Sequence, residues 1–150
     1  MKALTIWQPW ASLIACGAKQ YETRSWATKY RGPIAIHAAA RYTRKWDLPV
    51  DLVKVADAEM AAGRCSEWGA MPFGVVIATA ELVNVWSIAR HPGTYIPRLG
   101  DYFVPEKEAV LGDWTPGRYA WELSNVKILQ PPIPVKGKQG LWNLELEGEI

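Results

Sequence analysis

Gly17-Ala18-Lys19-Gln20-Tyr21-Glu22-Thr23-Arg24-Ser25-Trp26 is the stretch on which the reading of this chain turns. It follows a short apolar helical segment and feeds an alternating one. Lys19, Glu22 and Arg24 put two fixed positive charges and a carboxylate within six residues. On an extended strand side chains alternate, so Glu22 and Arg24 share a face and Lys19 falls on the other. A bulge or turn after Gly17 changes that phase and carries Lys19 round beside them. The plain alternative is a half-buried strand with its charges in water.

Outward from this stretch, Lys2 to Trp7 reads as a strand with Leu4 and Ile6 on one face. Gln8-Pro9 stops it, and Pro9 suits a first helical position. Trp10, Leu13 and Ile14 then keep helical spacing until Gly17 ends the helix. Tyr21 to Trp26 is strand-like, Thr28 to Gly32 a basic loop, and Pro33 to Ala39 a strand with Ile34 and Ile36 inward. His37 points away from those isoleucines, toward Glu22 and Arg24 if the two strands pair. A helix is expected over Leu52 to Ala62, with Gly63 as its stop, and a long buried strand over Gly74 to Val83. Ser87 to Glu108 reads as an irregular excursion, Tyr119 to Leu123 as a strand, and Pro131 to Pro134 as a connector barred from central sheet. Leu141 to Leu146 alternates strictly and is expected to close the fold against the first strand.

These elements show no β-α alternation, no repeat and no linker. They predict one α+β, mainly β domain over residues 1–150: a small barrel of short strands with two or three helices at its rim. The 150 residues, 49% hydrophobic and 21% charged, suit one ordinary globular domain. Most of the nine tryptophans belong in packing, and a few are available as stacking faces.

The net charge of +2 decides nothing, but its distribution is uneven. From Gly17 to Trp46 the bases Lys19, Arg24, Lys29, Arg31, Arg41, Arg44 and Lys45 face the single acid Glu22, while Glu145, Glu147 and Glu149 crowd the other end. Such a basic field attracts phosphates or merely keeps a face solvated. Cys16 reads as a buried small residue, and with Cys65 it has no metal-ligand spacing. No apolar run reaches membrane-spanning length and no leader pattern is present, so a reduced, cytoplasmic setting without membrane contact is expected. No metal and no cofactor are expected, since no His/Cys/Asp/Glu set is spaced for ligation.

The run Ile6-Trp7-Gln8-Pro9-Trp10-Ala11-Ser12-Leu13-Ile14, then Gly17-x-Lys19-x-x-Glu22-x-Arg24-Ser25-Trp26 and Tyr30-Arg31-Gly32-Pro33, resembles the ASCH domain (activating signal cointegrator homology). That family's signature is G-x-K-x-x-E-x-R, and all four positions are filled. Phe73-Gly74-Val75-Val76 with Glu81-Leu82 is similar to its central strand, and Pro134 to Trp142 to its closing segment. Insertions near Thr43–Met71 and His91–Arg118 fall outside the likeness. The resemblance implies a PUA-like β-barrel related to RNA-binding modules that recognise modified bases. It also implies a nucleic-acid cleft beside the motif. Some small members are hydrolases, among them an acetylcytidine amidohydrolase and proteins described as ribonucleases. In the amidohydrolase branch the position of Glu22 looks to be a threonine nucleophile aided by the motif lysine, and here that hydroxyl is absent.

The candidate binding residues are Gln8, Trp10, Lys19, Glu22, Arg24, Trp26 and Lys136. Arg24 offers a planar fork and Lys19 a point charge for phosphate or carboxylate. Glu22, held ionised between them, accepts from a base's exocyclic amine, serves as general base, or fixes Arg24. Trp10 and Trp26 offer stacking faces or core packing; Lys136 offers a basic rim or a solvated loop. The reading is a module for nucleic acid, with single-stranded RNA or a modified base ahead of DNA. The alternatives are a hydrolase of a modified nucleoside or of RNA, using Lys19 and Glu22, and a module that binds other proteins.

Overall fold

The computed structural model describes residues 1–146; Glu147 and Glu149 of the acidic end lie outside the described residues. Strand β1 (Lys2–Ile6) buries Leu4 and Ile6, and helix α1 (Trp10–Ala15) follows. Strand β2 (Tyr21–Arg24) carries Glu22 and Arg24, and β3 (Gly32–Ala38) buries its isoleucines. Helix α2 (Val50–Ala61) precedes two strands of 16 residues, β4 (Val75–Arg90) and β7 (Tyr119–Pro134). Between these lie β5 (Pro97–Leu99), β6 (Tyr102–Phe103) and α3 (Glu106–Ala109), and β8 (Leu141–Asn143) comes last.

The main sheet runs β2-β7-β4-β3-β1-β8, with β5 and β6 as a side ribbon on β4. Strand β1 lies parallel to β3 and antiparallel to β8, which pairs Lys2 with Asn143 and Leu4 with Leu141. The last strand thus closes against the first as expected but ends at Asn143, short of the expected Leu146. Register shifts between Val76 and Ala78, Thr79 and Glu81, and Leu82 and Asn84 bend β4 against β7. Such bulges increase local twist, and here they curl the sheet into a barrel-like wall. Its interior packs Leu4, Ile6, Ile34, Ile36, Leu82, Trp121 and Leu123 against Ala11 and Ile14 of α1. The other face of α1 presents Leu13 to Leu52 and Ala56 of α2. The fold is α+β and mainly β, with its helices at the rim.

Several expectations need correction. The wall rests on two long strands, not on short ones throughout. The excursion expected from Ser87 to Glu108 is partly sheet, because β4 continues to Arg90 and β5 pairs back on it. The prolines near residue 131 belong to β7: Val75 pairs with Pro134 and Val76 with Ile133. They are tolerated there because β2 covers only Tyr119 to Glu122, leaving that end of β7 free on its other side. Strands β2 and β3 do not pair, and His37 instead faces the Val135 carbonyl at 2.7 Å.

Cys16 and Cys65, expected reduced, are joined in a disulfide with their Cα atoms 5.3 Å apart. The turn after α2 returns Cys65 to the end of α1, a tertiary closeness that a separation of 49 residues conceals. Among the described residues no helix is long and apolar enough to cross a membrane.

Candidate functional site

The site begins at the helix-to-strand turn. Gly17 adopts φ +84°, a left-handed conformation natural to glycine, and the Lys19 amide then donates to the Leu13 carbonyl at 3.0 Å. This turn shifts the strand phase and brings Lys19 to the side of Glu22. The Lys19 side chain is fully buried, with Nζ donating to the Tyr21 carbonyl and lying 3.8 Å from Glu22 Oε1. Glu22 Oε1 also accepts the Thr23 amide at 3.1 Å, and Oε2 accepts from Arg24 Nη2 at 3.2 Å. That same Nη2 donates to the Thr5 carbonyl at 2.8 Å, linking β2 to β1 where no backbone ladder joins them.

Beneath this set lies Glu108 of α3, itself buried. Its Oε1 accepts the Gln20 amide at 2.8 Å and the Tyr21 amide at 3.3 Å, fixing the first residues of β2. Burial raises the Glu108 carboxyl, opposed by those amides and by the Lys19 ammonium. Burial lowers Lys19, opposed by the Glu22 and Glu108 carboxylates. Both shifts express the cost of keeping charge away from water.

A cavity of about 540 Å³ opens beside the motif strand. Glu22, Arg24, Asp113 and Arg118 line its polar side, and Trp7, Trp10, Pro49, Leu52 and Leu111 its apolar side. Arg118 donates from Nε to the Asp113 carbonyl at 3.2 Å, and its Nη2 lies 3.4 Å from the Thr23 carbonyl. The Thr115 hydroxyl bonded to Asp113 holds that carboxyl below its ordinary range, with Arg118 adding to the effect. Two guanidinium groups, two carboxylates and two indoles therefore border one space large enough for a nucleoside-sized guest.

Of the residues singled out from sequence, the structure brings Trp10, Glu22 and Arg24 onto this cavity, with Lys19 behind them against Glu22. Three lie elsewhere. Gln8 is turned into the fold: Oε1 accepts the Ser12 amide at 2.9 Å, while Nε2 donates to Ser12 Oγ at 2.8 Å and to the Pro72 carbonyl at 2.9 Å. Trp26 packs edge-on to Trp121 with ring centroids 4.8 Å apart. Lys136 is exposed, and its loop meets the Thr5 side chain through Gly137 without lining the cavity.

Trp7, Asp113, Arg118 and Glu108 were not foreseen. Trp7 had a signal in its place between β1 and the Gln8-Pro9 stop. The other three come from a stretch with no periodicity, where only tertiary placement reveals them. Among the described residues no cluster of His, Cys, Asp and Glu has the form of a metal site.

No curated protein matches the chain. The ASCH domain family model matches residues 4–132, from β1 into the far end of β7. That span takes in the turn, the motif strand, all of β4 and most of β7, and the chain belongs to the ASCH domain family.

Proposed function

We propose that this ASCH domain, working as one unit over residues 1–150, binds nucleic acid, single-stranded RNA ahead of DNA, and seats one unstacked base in the cavity. One observation carries the reading: Arg24 and Arg118 border the same space as the indoles of Trp7 and Trp10, and Glu22 lines it too. The guanidinium groups suit phosphate oxygens. The indoles suit a base face. Glu22 Oε2 is already engaged by Arg24, and it is placed to accept from an exocyclic amine, as an ionised carboxylate does in base readout.

The hydrolase reading has its own supporting observation. Glu22 stands at the cavity wall with the Lys19 ammonium 3.8 Å behind it, and burial weakens that ammonium's hold on its proton. This pair has the composition of a proton-transfer device. Against it, Lys19 does not itself line the cavity.

The test is binding to a labelled single-stranded RNA at two salt concentrations, repeated with Glu22→Gln. The wild type is expected to bind with a log–log salt slope of about −0.7 per phosphate contacted. Glu22→Gln is expected to weaken binding about tenfold and to lower the melting temperature, because it loosens Arg24. A panel of acetylcytidine, other acylated nucleosides and short RNA is expected to show no turnover. Absent or salt-insensitive binding rejects the proposal. Turnover that Glu22→Gln abolishes at unchanged affinity establishes the hydrolase reading instead.

A further inference from the structure

Between β3 and α2 runs Arg41-Tyr42-Thr43-Arg44-Lys45-Trp46, three cations and two large aromatics with no acid before Asp47. The chain touches the cavity wall at the start of this strap and again just beyond its end. At the start the Arg41 guanidinium lies 3.9 Å from the centroid of Trp7, a cavity residue. Beyond the end, Pro49 is part of the cavity wall. Between those anchors the strap stands in solvent, with Tyr42 69% and Trp46 76% exposed.

The charges around it are largely accounted for. Arg44 meets Asp47 at 2.8 Å and Lys45 meets Asp57 at 3.1 Å, while Asp51 and Lys54 of α2 are exposed nearby in sequence. Arg41 forms no ion pair among the described residues. These pairs explain a soluble loop; Tyr42 leans on Phe73 with ring centroids 6.0 Å apart and Arg44 lies 5.4 Å from the Trp46 ring, yet both aromatic side chains keep most of their surface in water. Tryptophan and tyrosine commonly bury most of their surface, and an exposed set of them beside cations marks a contact surface.

We infer that the strap is a stacking strip for the nucleotides adjoining the one in the cavity, so that the footprint on a single strand covers several nucleotides. The inference rests on the nucleic-acid reading of the cavity and extends it. Cations interleaved with aromatic faces fit a chain of phosphates and flat bases, each base offering a face whatever its identity. An acidic peptide would use the cations and leave the rings of Tyr42 and Trp46 without a matching surface. The strand leaves the cavity over Trp7 and Arg41, and Tyr42 and Trp46 receive the following bases.

The test compares a dinucleotide with a ten-nucleotide single-stranded RNA, by NMR shift titration and fluorescence anisotropy respectively. The wild type is expected to bind the longer RNA at least tenfold more tightly. Trp46→Ala is expected to weaken the longer RNA about tenfold and to leave the dinucleotide within twofold, with Trp46→Phe restoring most of the loss. Arg41→Ala is expected to reduce the magnitude of the salt slope by about 0.7. Equal affinity of wild type for both lengths, or a Trp46→Ala protein that holds the longer RNA as wild type does, overturns the inference. Failure of the cavity reading shows separately, as dinucleotide binding that Arg24→Ala does not weaken. Trp46 is so exposed that its removal leaves folding intact, and near-UV circular dichroism checks this.

Discussion

A methyl group added at Gly137 would stand 2.6 Å from His37 Cε1 and 2.8 Å from the Thr5 hydroxyl oxygen. Neither neighbour has room to give way. The imidazole is held at Nε2 by the Val135 carbonyl and lies edge-on to Trp142, whose indole N–H donates to Thr5 Oγ1 at 3.1 Å. Facing a carbonyl, Nε2 donates its proton there, and Nδ1 is turned toward Gly137. Gly137→Ala is therefore expected to cost about 1–3 kcal/mol by overpacking, read as a lower urea midpoint at unchanged slope. An unchanged midpoint would mean that the loop simply moves aside. Legibility at this scale follows how local each cause is. Glu22 and Arg24 were readable because strand alternation alone puts them together, and Lys19 because glycine permits the turn that moves it. Gln8 misled because its Nε2 is drawn inward to the Pro72 carbonyl, a partner 64 residues away. Arg118 and Asp113 were hidden because a loop places them.

The tie between α2 and α3 belongs to the scale of elements. Glu59 falls on the buried stripe of α2 after Leu52 and Ala56, and its carboxylate receives Arg64 Nε at 2.5 Å and Lys107 Nζ at 2.8 Å. Those two bonds pull Glu59 from 4.5 down to about 2. A carboxyl depressed on folding adds stability above its unfolded value and loses it as pH falls through the folded one. Glu59→Gln is thus expected to lower stability by about 1 kcal/mol at pH 7, a modest figure because both cations are half exposed. The gap between variant and wild type should narrow from pH 4.5 toward pH 2, as thermal melts across that range would show. A gap independent of pH would assign the effect to packing. Helix α2 was legible because periodicity and a glycine stop agree. The full lengths of β4 and β7 were not, since each bulge resets the alternation by which a strand is recognised, and the prolines of β7 argue locally against sheet.

Across the whole molecule, the Cys16–Cys65 link pins the α2 segment onto α1 and closes a loop of 49 residues. Constraining the unfolded chain over such a loop contributes about 2–4 kcal/mol. Reduction, or Cys65→Ser, is expected to lower the melting temperature by on the order of 10 °C. Two alkylatable thiols in the untreated native protein, with no change on reduction, would contradict the link. Sheet order has a different consequence, which concerns the order of synthesis. Strand β1 receives β3 on one side and β8 on the other, and β8 is made about 135 residues after β1 ends. At roughly 5–20 residues per second, a ribosome leaves that second side of β1 open for about 7–27 s. During this interval its unpaired amides and carbonyls are a template for any other nascent strand. A transcript cut short before Leu141 would make the exposure permanent, turning the first strand of the wall into the seed of an aggregate.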